Sequence, residues 1–458
     1  MQNEYPPNDQ RRPSPLKIAS YAAIAIGAFA VLCVLASFLF IGPLMNKFIK
    51  PRITKAFADT YPAYSIRIAE LHYSVLKNRF GFDSVALSAV DSTISCKLGS
   101  FSIGGIEWIN LLWGGKFGSK DLVHADFDAQ GIEINLPKSH YQFRCKRMHL
   151  SAPDSEMTAE SLEIHPLAGD DEFFAASKFR KTRLSFVVPH LSVMGLACLE
   201  LLQGKTYRAR SIHIHDALLD ILVNKDKPDS RDTTGPTMPN EILSSIKETL
   251  KLDSLSFKNG RLKYCEEFVL GSKPAFITFD RMQVSAEGIA NHSGRDAVLV
   301  IHAQANLADA GTMKVEMTIP IAPPECSFHY SGSLSTMDLS PLNSMLEISD
   351  QIRIKKGVLQ EATFNVDVVS GHASGTLRGI YKDLTLAAIN KETGSEEGFS
   401  DGVTSFIANN FKIRGTNVPD ESGSMKIGKV KYIRQPDDPF IQLEWFALRT
   451  AVRDVVGF

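Results

Sequence analysis

After Ser65 apolar and polar residues alternate with a period of two along most of the chain. SIRIAELHYSVL, STISCKLGSFSI, GIEINL, YQFRCKRMHL, RLSFVV, SIHIHDALLDILV, AVLVIHAQANL, TMKVEMTIPI, ATFNVDVV and DLTLAAI each put apolar side chains on one side of an extended backbone. Glycines and Asx-rich turns separate many of them. The pattern predicts a mostly β body with a few helices. The sharpest turn signal lies in LKLDSLSFKNGRLKYCEE at 250–267. Asn259-Gly260 suits a two-residue type I′ hairpin, in which both central residues take positive φ. Phe257 would then face Leu262, and Leu255 would face Tyr264, on one side. Ser256, Lys258, Arg261 and Lys263 would fall on the other.

The period changes at both ends. Ile18 to Gly42 is a stretch of 25 residues without a charge. As a helix it spans about 37 Å, more than the ~30 Å hydrocarbon core, which predicts an uncleaved transmembrane anchor. A cleaved signal peptide would have a shorter apolar region, about 7–15 residues. Residues 43–61 predict an amphipathic helix continuing from the anchor. At the other end, IQLEWFALRTAVRDVVGF predicts an amphipathic helix with Trp445, Leu448, Val452 and Val455 at helical spacing.

An internal repeat is also present. SIGGIEWINLLWG (102–114) and SVMGLACLELLQG (192–204) share S-[IV]-x-G-[IL]-x-x-[IL]-x-L-L-x-G at an offset of 90. Each predicts a short helix, 106–112 and 196–202, packed on strands, and the repeat suggests a sheet lengthened unit by unit. Residues 226–240 read as a linker, followed by a short helix in EILSSIKETLK. The expected organisation is a tail (1–17), the anchor (18–42), a β-rich domain (43–225), the linker, a second β domain (241–390), and a loop with the C-terminal helix (391–458).

Composition narrows the function. The chain has 458 residues, 44% of them apolar, so it can bury a core. A net charge of −1 removes the electrostatic case for nucleic-acid binding. Outside the anchor, Cys96, Cys145, Cys198, Cys265 and Cys326 are widely spaced and form no CxxC. That is neither a disulfide framework nor a zinc pattern. His213 and His215 share a strand face, as metal ligands can, but no convergent third ligand can be named. No nucleophile elbow, phosphate loop, dinucleotide fingerprint or HExxH occurs. The expectation is a protein without catalytic residues, metal or cofactor. An enzyme with a dispersed site is the remote alternative.

Basic residues flank the anchor on both sides: Arg11, Arg12 and Lys17 before it, and Lys47, Lys50, Arg52 and Lys55 after it. The positive-inside rule therefore leaves the orientation open.

The order of elements after residue 250 resembles the AsmA-like superfamily of bacterial envelope proteins, in particular a short group of unknown function. LKLDSLSFKNGRLKYCEE followed by KPAFITFDRMQVSAEGIANHS is similar to that family's strand, NG and strand. SGSLSTMDLSPLNSML resembles its step from a strand through a turn into a short helix. IRIKKGVLQEATFNVDVVSGHASGTLRGIYKDLTL resembles its glycine-punctuated meander, and WFALRTAVRDVVGF its closing helix. The resemblance implies a bacterial inner-membrane anchor with the body in the periplasm. It also implies long twisted antiparallel sheets curled into an open groove that holds lipid.

Under that reading the groove candidates are Leu255, Phe257, Leu262 and Tyr264, with Ile132, Ile134 and Leu136 in the first repeat and Leu218 and Ile221 in the second. Phospholipid and envelope proteins are the partners it implies. Two other readings of the same residues stand beside it. They could fill a dry core against the short helices, or belong to a scaffold whose edges or C-terminal helix dock a protein.

Overall fold

A computed structural model describes residues 42–457, apart from 75, 107–118, 205, 229–237, 293, 295, 322–325, 391–395, 398–412 and 436–437. The expected anchor lies outside the described residues except for Gly42, and the 106–112 helix except for Ile106. Among the described residues, no helix is long and apolar enough to cross a membrane.

The chain is mostly β and forms one large mixed sheet. Strands β1 (Tyr64–Ser74), β2 (Arg79–Ala89), β3 (Ser95–Gly104), β4 (Asp126–Leu136), β5 (Tyr141–Ser151), β6 (Glu156–Pro166) and β7 (Thr182–Met194) make an antiparallel meander. The next rung is shared by β8 (Thr206–His215) and β9 (Leu218–Asn224). Both run antiparallel to β7 and parallel to β10 (Thr249–Glu267). Then β11 (Ala275–Ala290), β12 (Val298–Leu307), β13 (Gly311–Pro320) and β14 (Phe328–Leu334) follow in order. The two-residue β15 (Met337–Asp338) shares the edge of β16 (Ile352–Val369) with β14. β17 (His372–Ile389) pairs with β16, and with β18 (Glu396–Glu397) and β19 (Gly428–Ile433).

Two expectations are corrected. The sheet is not antiparallel throughout, because β10 pairs in parallel with β8 and β9. A parallel neighbour requires the chain to travel back along the strand before re-entering, and the described residues 225–228 and 238–248 belong to that return. The sheet therefore continues unbroken across the linker. Asn259-Gly260 is also not a hairpin. Leu255, Phe257, Leu262 and Tyr264 lie on one 19-residue strand, and their cross-strand partners in β11 are Ala286, Val284, Phe279 and Ile277. The positive φ expected at Asn259 is present, at 55°, but it serves a bulge.

The described helices are α1 (Lys50–Thr60), α2 (Asp170–Ala175), α3 (Cys198–Gln203), α4 (Pro239–Ser245), α5 (Asn343–Ser349) and α6 (Phe440–Val456). A turn of π-helix at Met45–Ile49 leads into α1. α3 is the second-repeat helix. The repeat also explains two glycines. Gly105 and Gly195 follow β3 and β7 with left-handed φ of 72° and 64°, where a Cβ would strike His124 backbone oxygen or Arg210. α6 matches its expected span, and Leu448 and Val455 of its expected apolar set lie against the core. It packs on Leu443, Ala447, Ala451 and Val455, all nearly inaccessible, while Trp445 and Val452 face outward. Two alanines on that face let the helix axis approach the sheet closely.

Side chains from helices close both ends of the sheet. At β1, the Asn46 side-chain amide donates to Leu71 O at 2.9 Å and accepts from Leu71 N at 3.0 Å, as a further strand would. Lys50 Nζ donates to Ala69 O at 2.9 Å. At β19, Lys429 N donates to Asp454 Oδ2 and Lys431 N to Thr450 Oγ1, at 3.0 and 3.1 Å. Such caps satisfy edge groups that would otherwise template another strand.

Candidate functional site

Cross-strand register lines up apolar side chains in rows, one of which runs the length of the sheet. One row passes Tyr73, Phe80, Ile103, Phe127, Leu150, Met157, Val193, Ile212, Leu255, Ala286, Ile301, Met317, Tyr330, Val366, Gly375 and Val430. At ~4.8 Å per strand that is about 70 Å from edge to edge. A parallel row passes Ile66, Leu87, Cys96, Ile134, Phe143, Ile164, Phe186, Leu219, Leu262 and Phe279.

Between these rows the sheet is creased. Ser84, Gly131, Ser161, Asp216 and Asn259 all take left-handed φ at one rung, as does Arg281 next to it in β11. The register brackets Ala69, Gly99, Lys146 and Pro189 at the same rung in the intervening strands. Pro189 lacks an N–H yet sits in a central strand, which a bulge tolerates. At the crease each strand spends two residues on its polar face and then resumes with apolar side chains on the original side. Ala129 and Ile132 therefore share one cluster, as do Val188 and Leu191 in another. A strand with two consecutive residues on one face turns there, with those residues outside the bend.

The crease explains why the groove candidates on β10 share a face although the hairpin is absent. Leu255 and Phe257 precede it; Leu262 and Tyr264 follow it. Gly260 lies beneath the Phe257 ring, so that an added Cβ would meet Phe257 Cε1 at 1.8 Å. Phe257 and Ile132 are buried, each 8% exposed; Leu255, Leu262, Tyr264, Ile134, Leu136 and Ile221 are half-buried. Tyr264 donates to Glu266 Oε1 at 2.8 Å, and burial pushes its phenol pKa up.

Leu218 departs from the set. It is 50% exposed and lies three residues from Ile221 on an unbroken strand, so the two project to opposite faces. On the face of Leu218, Leu222 and Cys265 form a small separate core under Phe173 and Phe174 of α2.

Cover differs along the sheet. Toward β19 the apolar face is sealed: Tyr330, Val366 and Val430 pack with Leu443, Ala447 and Ala451 of α6 in the largest core. From β3 to β6 the same rows are half-buried at Ile103, Phe127, Phe143 and Ile164. Among the described residues, β3 to β6 make their principal contacts with lateral neighbours in the sheet.

Reactive chemistry is sparse along these rows. The five described cysteines are free, and burial raises each thiol pKa. His213 bonds Ser211 Oγ at 3.1 Å. Among the described residues, no group of three or more His, Cys, Asp or Glu converges as a metal site.

Sequence reading missed the crease, although a signal for it exists. From β1 to β11 the strands repeat apolar-x-apolar-x-x-apolar-x-apolar, as in IRIAELHY (66–73), FGFDSVAL (80–87) and FRCKRMHL (143–150). The sequence reading takes β1 and β5 as strands without the break in their alternation, and does not take β2 and β6, which carry the same pattern, as strands. Against known proteins, the chain matches no family model and no curated protein.

Proposed function

We propose that this protein is a membrane-anchored, non-enzymatic lipid-binding protein of the bacterial envelope. Its body would stand in the periplasm and hold acyl chains in a trough formed by the creased apolar face. The observation that carries this reading is the continuity of that face combined with its uneven cover. One apolar row crosses the sheet from edge to edge, sealed by α6 toward β19, covered by α1 and the turn before it at β1, and half-buried in between from β3 to β6. An apolar trough accepts chains of variable length through few specific polar contacts. Each methylene buried there is worth about 0.8 kcal/mol before ordering costs. The resemblance to AsmA-like proteins supports the same reading, and the apolar stretch at 18–42 supports the anchor.

A scaffold role has one observation in its favour: Ile441, Trp445 and Val452 stand exposed on the outer face of α6. The helix-capped edges oppose strand addition at either end of the sheet. The test is lipid co-purification. Phe143→Asp, on the half-buried part of the rows, should lose bound lipid while the β signal in circular dichroism persists. A folded variant that retains its lipid would count against the trough.

A further inference from the structure

The foot of the sheet, where α1 packs against β1, carries a surface the trough does not use. Met45, Ile49 and Ile53 turn inward onto Leu71 and Phe80. Left outside are Leu44, Phe48 and Tyr61, exposed by 53, 49 and 53%. Lys47, Arg52 and Lys55 are exposed beside them, Asp59 is the one acidic residue of the segment 43–61, and Lys47 Nζ lies 5.5 Å from the Phe48 ring centroid. Immediately before this surface in sequence runs the uncharged apolar stretch 18–42.

We propose that this face docks on the headgroup layer of an anionic bilayer. Aromatic side chains with a polar or cationic neighbour favour the membrane–water interface. Clustered Lys and Arg beside a membrane segment gain about 1 kcal/mol each from anionic lipid, within a Debye length of the surface. Charge and amphipathic exposure coincide here, which is the complementarity an anionic lipid surface offers. The proposal also accounts for the undecided orientation signal. The basic residues after the apolar stretch belong to a folded docking surface rather than to a cytoplasmic flank. This inference rests on the membrane reading and is independent of the trough.

The test uses the full chain in nanodiscs, with a benzophenone side chain introduced at position 61 and, as a distant control, at position 369. Position 61 should crosslink lipid in phosphatidylglycerol-containing discs, and position 369 should not. The yield should fall about fivefold or more in phosphatidylcholine discs, in about 0.5 M salt, and in the K47E/R52E/K55E variant. The salt series needs no charge substitution, so a variant that folds poorly leaves the proposal testable. Equal yields in anionic and neutral discs would overturn the docking surface alone. A chain that never enters the discs would overturn the anchor as well.

Discussion

Asn259 Nδ2 donates to Asp216 Oδ1 at 2.6 Å, joining the two left-handed residues at which β10 and the β8–β9 rung bend together. Backbone bonds flank this link on both sides: Asp216 N to Lys258 O at 3.0 Å and Arg261 N to Ala217 O at 2.9 Å. Asparagine tolerates positive φ and supplies the bond; alanine does neither. Asn259→Ala should therefore lower stability by about 1–2 kcal/mol, and Asn259→Gly by less. Urea midpoints should rank wild type, then Gly, then Ala. A midpoint for the alanine variant equal to wild type would remove the crease from the stability argument.

Gly260 has a steric reason to lack a side chain, because the Phe257 ring covers it. Gly260→Val should displace that ring and cost about 1–3 kcal/mol, since an overpacked buried site has little room to relax. Pairing it with Phe257→Ala should recover part of the loss. Additive losses in a double-mutant cycle would contradict the contact.

Glu444 sits in the α6 face that meets the sheet, with Oε1 buried and without a hydrogen-bond partner among the described residues. Burial pushes its carboxyl up to about 8. The folded chain then holds a proton that the unfolded chain releases above its ordinary carboxyl range. Stability from this group is fully present below about pH 4.5 and is lost as pH rises toward 8, by at most about 1.4 kcal/mol per pH unit. Glu444→Gln should remove that slope and be the more stable protein at pH 8. Parallel pH–stability curves for the two proteins would show that the carboxyl is not held neutral.

The helix caps make a prediction about assembly. Asn46→Ala would leave both Leu71 N–H and C=O unpaired at the β1 edge. Light scattering should then detect concentration-dependent association that the wild type lacks. A variant that stays monomeric at all concentrations would show that other groups guard the edge.

The β content, the C-terminal helix and most strands were legible because alternation is a local property of the sequence. The crease was not, because it inverts the alternation partway along the strands from β1 to β11. Asn259-Gly260 illustrates the difficulty. Positive φ at Asn259 was read correctly, but two residues cannot say whether the chain reverses there or only bends. The neighbours decide, and the parallel partners of β10 lie more than thirty residues upstream. Leu218 was placed on the wrong face for a related reason, since the parity of β9 is set by the break at Asp216. On α6, Leu448 and Val455 lie against the core as read, but Trp445 and Val452 face outward, and the sheet takes the small Ala447 and Ala451 instead.

If the creased apolar face holds lipid, the folded body should carry that lipid out of the membrane. The most direct test releases the folded body from bacterial membranes at a protease site engineered ahead of Gly42, without detergent, and weighs it by native mass spectrometry. Bound mass should be present, extract as phospholipid, and disappear in Phe143→Asp. A folded body of bare polypeptide mass would contradict lipid binding.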